Sequence, residues 1–182
     1  LANLGSAEND FDPNKDMVCP ESLTDIDKWA LSRLNKLVKR VREAYDKYEF
    51  HIVYHEIHNF CSIDMSKLYI DITKDVLYCE AKDDATRRAT QTAMYIIVSA
   101  LTRLLAPILS FTAEETWGFM SHVASDDVES VLCNSMSEVD NAYNFAEIES
   151  KYEELFNLRD GVMKALEIAR TEKTIGKSLE AS

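Results

Sequence analysis

A chain of 182 residues with 46% hydrophobic and 29% charged side chains can bury one good-sized core, which excludes an intrinsically disordered protein. Four glycines and three prolines are too little turn chemistry for a β-sandwich or barrel, and no glycine lies between residues 6 and 117. The net charge of −12 speaks against a uniformly basic nucleic-acid binder, yet residues 28–47 carry seven bases against two acids while 125–154 carry nine acids and one base.

Residues 1–23 read as an irregular lead-in marked by Pro13, Asn14 and Pro20. Ser22 or Thr24 can cap a first helix, with Asp25 and Asp27 set against its positive end. Leu31, Leu34, Val38, Val41, Tyr45 and Tyr48 recur at three- and four-residue steps, one helical stripe through about residue 47; Arg33, Lys36, Arg40 and Lys47 fall on another face. A second helix is predicted over about 49–73 on Val53, Ile57, Phe60, Asp64, Leu68 and Ile72, and Asp64 needs a hydrogen-bond partner if buried. Lys74–Asp84 reads as a short connection. The third helix runs from about Thr86 to Ala106, with Ala93, Ile97, Ala100, Leu101 and Leu104 suited to close packing, and Pro107 kinks or ends it. Thr112 and Glu115 have capping-box spacing for a further helix that Gly118 weakens. Residues 122–146 are acidic and aperiodic, hence a loop, and a last helix spans about Glu147 to Arg170 within the segment 147–182. The architecture expected is an all-α antiparallel helix bundle over residues 24–121.

Chemistry is sparse. The cysteines at 19, 61, 79 and 133 form no Cys-x-x-Cys pair and no disulfide framework, and no stretch is apolar enough to span a membrane. The start, Leu1-Ala2-Asn3-Leu4, has neither a basic leader nor a methionine, so a cytosolic, reduced protein or an excised fragment is expected. His51, His55 and His58 share a helical face, but no matching carboxylate or cysteine pair accompanies them, so ordinary partly buried histidines are the reading and no metal site is assigned. Phosphate loops and nucleophile elbows are missing, and catalysis by this chain alone is not expected. The basic set Arg33, Lys36 and Arg40, with Arg87 and Arg88 at the start of the third helix, could meet phosphates; the bland reading is a solvated face. Tyr78, Gln91 and Asp75 carry chemistry suited to exposed bases, whereas Trp29, Trp117, Tyr69 and Tyr95 read as packing residues.

Three segments are more specific: Ile70-Asp71-Ile72-Thr73-Lys74-Asp75-Val76-Leu77-Tyr78, then Arg87-Arg88-Ala89-Thr90-Gln91-Thr92, then Leu105-Ala106-Pro107-Ile108-Leu109-Ser110-Phe111-Thr112-Ala113-Glu114-Glu115. In that order the chain resembles the anticodon-binding helical domain of bacterial-type isoleucyl-tRNA synthetases, of class Ia. The resemblance extends to Asn3-Leu4 with Asp10-Phe11-Asp12-Pro13, to Asp27-Lys28-Trp29-Ala30-Leu31, and to the closing Ile175-Gly176-Lys177-Ser178-Leu179-Glu180-Ala181. It departs from the family pattern where Gly5 to Asn9 intervene in the lead-in and where Ser110 replaces a common proline.

The resemblance implies a non-catalytic, tRNA-binding piece of an isoleucine–tRNA ligase. Its partners would be isoleucine tRNA and the catalytic and C-terminal domains of the same polypeptide, with neither membrane nor DNA. No cofactor is expected in this chain; ATP with magnesium, and a zinc in a C-terminal region, would belong to the parent. Lys74, Asp75 and Tyr78 match the family's Lys-Asp-x-Leu-Tyr motif, and Arg87, Arg88 and Gln91 its Arg-Arg-x-x-Gln-Thr motif. The rival reading is a non-catalytic helical protein-interaction module, which the acidic total would suit.

Overall fold

A computed structural model describes residues 11–174 and Gly176. Helix α1 spans Asp25–Asp46, α2 Phe50–Asn59, α3 Ile70–Cys79, α4 Ala85–Leu105, α5 Ser110–Gly118 and α6 Ala146–Thr171. A π-helical segment, Phe60–Tyr69, joins α2 to α3 without a break. Among the described residues there is no strand, and the fold is an all-α antiparallel bundle. Two compact units divide between Phe145 and Ala146. The closing heptapeptide apart from Gly176, and the lead-in through Asp10 with its Gly5–Asn9 departure, lie outside the described residues.

Helix α1 starts where the sequence says it should. Thr24 and Asp27 cap reciprocally, each side chain receiving the other's backbone N–H. Leu31, Leu34, Val38 and Val41 are buried, and Trp29 with them. Its other end turns without glycine: Tyr48 has φ 58°, and the Glu49 N–H closes on the Ala44 carbonyl at 2.8 Å. That left-handed corner is ordinarily glycine's place.

Three cross-helix pairs fix the second rod against the first. Arg40 meets Glu56, Arg33 meets Asp64, and Tyr69 meets Asp27, so rising numbers on one rod meet falling numbers on the other. The two are antiparallel. Helix α4 returns parallel to α1, and the Tyr45 hydroxyl donates to the Leu104 carbonyl at their common end. Ala89, Ala93, Ile97, Ala100 and Leu104 lie on its buried face, where the three alanines permit close approach.

Two local expectations are corrected. The segment Lys74–Asp84 is not a connection: α3 continues helical to Cys79, and only Glu80–Asp84 link it to α4. The apolar stripe is interrupted there because the π segment shifts the phase, so Thr73 and Leu77 are buried while Ile72 is 44% exposed. Thr112 and Glu115 do not cap a helix, since α5 begins at Ser110 after Leu109 and both residues lie within it. Ser110 instead donates its hydroxyl to the Ala106 carbonyl, carrying the chain around Pro107.

The acidic stretch after α5 is irregular but tied down. Phe11, Tyr95, Trp117 and Val131 share one buried cluster beneath it. The Trp117 indole donates to the Asp127 carbonyl at 3.0 Å, Arg103 pairs with Asp126, and Arg42 donates to the carbonyls of Met136 and Ser137. Asn35 exchanges hydrogen bonds with the Asp140 backbone. Part of the basic surplus of α1 is therefore spent on carbonyls of this stretch. The second unit, α6, carries a Tyr152–Phe156 ring pair, and its Leu155 and Val162 are about half exposed.

Candidate nucleic-acid interface

The basic side chains of α1 point into a groove. Arg33, Lys36 and Arg40, one helical turn apart, line a cavity of about 250 Å³ together with Glu56, Asn59, Phe60 and Asp64. Arg33 and Arg40 each meet a carboxylate across the groove. Arg33 sets Nε and Nη2 on one Asp64 oxygen at 3.1 and 3.0 Å, and Asp64 is nearly buried. Arg40 meets Glu56 at 3.0 Å in an exposed pair, a contact worth little in water. Lys36 is exposed on the rim.

The second group sits where α3 hands over to α4. Lys74, Asp75 and Tyr78 are exposed on α3, with Tyr78 showing 74% of its surface. Lys74 and Tyr78, four residues apart, share a face. Lys74 hydrogen-bonds Asp71 at 2.8 Å, which holds its ammonium above the usual lysine range. Asp84 caps α4 by accepting from the N–H groups of Thr86 and Arg87. The Arg87 guanidinium donates back to the Glu80 carbonyl at 2.9 Å, stapling the end of α3 to the start of α4. Fixed helix ends are what a rigid display surface requires.

Arg88 and Gln91 point inward. Gln91 is fully buried, and its side-chain oxygen accepts from Arg88 at 3.0 Å. Arg88 also faces Asp16 of the lead-in at 3.8 Å, and the Val18 N–H donates to Thr92 one turn further on. These residues bind the lead-in to α4. The structure thus gathers the nine sequence-selected residues into a groove on α1, an exposed corner on α3, and a brace beneath that corner.

With that geometry in place, the comparison with known proteins is direct: residues 27–182 match the family described as the anticodon-binding domain of tRNA ligase. The chain belongs to that family. This anticodon-binding domain is 51% identical over 172 residues to the isoleucine–tRNA ligase of Thermoanaerobacter sp. (strain X514), an overlap covering 94% of this chain and 18% of that protein. It is 49% identical over 181 residues to that of Syntrophotalea carbinolica and 45% identical over 182 residues to that of Bacillus mycoides (strain KBAB4), in each case 100% of this chain and 19% of the relative. The chain therefore spans about a fifth of the length of the curated relatives it matches.

Among the described residues of the anticodon-binding domain, no three His, Cys, Asp or Glu side chains converge as a metal-holding group, and no helix is long and apolar enough to cross a membrane. His51, His55 and His58 are exposed rather than partly buried, with the Tyr54 ring against His55 at 5.2 Å and against His58 at 5.7 Å. Two participants escaped sequence reasoning. Asn59, which matches the family pattern in Asn59-Phe60-Cys61 but has no predicted role, lines the α1 groove one residue before the buried Phe60. Asp27 reads as a capping residue, yet it is fully buried and its second oxygen accepts from Tyr69 at 2.6 Å. Burial pushes its carboxyl up, against the pull of the Thr24 and Tyr69 hydrogen bonds.

Proposed function

We propose that this domain holds the anticodon stem-loop of isoleucine tRNA, as the tRNA-binding part of an isoleucine–tRNA ligase whose chemistry lies elsewhere in a longer polypeptide. The observation that supports this most is the exposed Lys74–Tyr78 face on an α3–α4 corner stapled by Arg87, within a chain of the anticodon-binding family. Lys74 supplies a cation for backbone phosphate and Tyr78 an aromatic face for an unstacked loop base. Lys36 on the α1 groove adds a further cation, and Arg40 joins it where phosphate replaces Glu56. Asp75 is exposed on α3 next to Lys74 in sequence and can accept a hydrogen bond from a base edge. Arg33, Arg87, Arg88 and Gln91 serve by holding the displaying helices, given what each already contacts.

The domain's acidic total opposes tRNA binding as a whole. With a net charge of −12, grip comes from a few local cations, because fields beyond about 8–10 Å are screened at physiological salt. Isoleucine comes from the names of the relatives, isoleucine–tRNA ligases. That the longer enzyme uses ATP with magnesium and carries zinc in a C-terminal region is what the sequence resemblance implies. The catalytic and C-terminal domains of that polypeptide are the protein partners of this reading, and the cytoplasm, where tRNA is charged, is its site of action.

A salt series tests the electrostatic part. Affinity of the chain for an isoleucine tRNA transcript should fall steeply between about 50 and 200 mM salt, with a logarithmic slope set by the few phosphates contacted. An affinity that stays flat over that range would refute phosphate neutralisation as the basis of binding.

A further inference from the structure

The rod from Phe50 to Cys79 consists of three ten-residue parts, α2, the π-helical segment and α3. Were it α-helical throughout, at about 100° per residue, Asp71 would fall directly beneath Val53 and Tyr78 about 20° from it, with Lys74 about 60° away. All three would share the core face of Val53, Ile57 and Phe60. Thr73 would stand about 160° from Val53, on the solvent side.

The structure has the opposite arrangement. Val53, Ile57 and Phe60 are buried, but so are Thr73 and Leu77, while Asp71, Lys74 and Tyr78 are exposed. The π segment accounts for the inversion. Each π turn closes on the fifth residue rather than the fourth, so each residue advances less, and ten in succession lag by roughly half a turn. The segment carries its own bonds of that span: the Ile70 N–H closes on the Met65 carbonyl, and the Ser66 hydroxyl donates to the Cys61 carbonyl at 2.8 Å. With the phase shifted, α2 packs on α1 and α3 packs on α4.

So long a π run is unusual, and π turns concentrate at functional sites. Two clamps from α1 hold this one. Arg33 grips Asp64 within it, and the buried carboxylate of Asp27 accepts from Tyr69 at its last residue. Tyr69 is fully buried, and its hydroxyl also lies 3.4 Å from the Thr90 carbonyl of α4, so the register is pinned between two helices.

We propose that Asp27 and Tyr69, together with Arg33 and Asp64, are positioning residues that lock the π-helical register and thereby turn Lys74 and Tyr78 outward to meet RNA. The inference rests on the reading of the α3–α4 corner as the tRNA-facing surface. Without the clamp, a slip toward α-helical register carries the Lys74–Tyr78 face toward the core and presents Thr73 instead.

A double-mutant cycle on the 182-residue chain tests it, read by filter binding to an isoleucine tRNA transcript and by amide hydrogen exchange. Lys74→Ala should weaken binding several-fold. Tyr69→Phe, which keeps the ring, should weaken it by a similar factor and speed exchange over residues 70–79 by tenfold or more. In the Tyr69→Phe background, Lys74→Ala should then cost less than twofold. Multiplicative losses with unchanged exchange over 70–79 would overturn the positioning role and leave the corner standing. If Lys74→Ala and Tyr78→Ala both bind like the parent, the corner reading fails and this inference with it. Should Tyr69→Phe not fold, Asp64→Asn weakens the other clamp and carries the same cycle.

Discussion

Arg33 crosses from α1 to place two guanidinium nitrogens on a single oxygen of Asp64, a carboxylate that α2 and the π segment leave 9% exposed. The contact is a charge-assisted pair that converges on one oxygen rather than forking across two, and Asp64 is the polar member of an otherwise apolar stripe. Three residues further along the same helix, Lys36 stands on the rim of the same groove. Arg33 is thus held against a nearly buried carboxylate, whereas Lys36 is exposed to solvent.

Their substitutions should separate accordingly. Arg33→Ala strips a nearly buried carboxylate of a charged donor and should cost about 1–3 kcal/mol of stability. Lys36→Ala should stay within about 0.5 kcal/mol. Urea unfolding followed by circular dichroism reads both. Against tRNA the order changes, with Lys36→Ala lowering the salt slope by about one while leaving stability alone.

The corner residues should behave as a surface. Tyr78→Ala removes a ring that is 74% exposed, so the melting temperature should hardly move. Binding should lose about 1–3 kcal/mol if the ring stacks on a base, and discrimination between native and altered anticodons should relax. Equilibrium titration against both transcripts distinguishes loss of grip from loss of reading.

Much of this was legible in the sequence, and the reasons for the remainder are physical. The α1 stripe from Leu31 to Val41 and the core role of Trp29 and Trp117 follow from spacing and side-chain type, and the structure buries them as expected. Of the two candidate caps it uses Thr24, and Tyr48, placed on the stripe, is exposed instead because α1 ends at Asp46. The end of α3 was not legible, because periodicity analysis assumes one pitch and the π segment changes it midway. That single assumption placed Ile72 inside and made Lys74–Asp84 look like a connection. The motif residues were found by resemblance, but motif identity does not distinguish Tyr78, which faces solvent, from Gln91, which is fully buried. Nor does the sequence reveal that Arg42 and Asn35 are committed to the backbone of the acidic stretch.

The turn between α1 and α2 offers a stability gain. Tyr48 occupies the left-handed region at φ 58° and is 80% exposed, with only an edge contact to Phe50 at 6.2 Å. Glycine adopts that conformation without the side-chain clash, so Tyr48→Gly should stabilise by up to about 1 kcal/mol. Thermal unfolding of the two chains is the check, and a destabilised variant would mean that the ring contributes more than its contacts suggest.

Acid should act on Asp27 in a definite direction. Its folded-state pKa is raised above 3.8, chiefly by burial, so the folded chain binds that proton more tightly than the unfolded one. The resulting stability contribution is fully present below pH 3.8 and is lost as pH rises through the raised folded value. Relative to Asp27→Asn, which does not titrate, the parent should gain stability as pH falls from neutral toward 4. Paired urea melts across that range isolate the residue, because shifts of the exposed carboxylates cancel in the difference.

The most direct test of the central claim is to titrate the 182-residue chain with isoleucine tRNA and with a copy altered only in its anticodon, at one physiological salt concentration. Preferential binding to the native anticodon, lost on Tyr78→Ala, is the result this account predicts. Equal affinity for the two transcripts, or none for either, would contradict it.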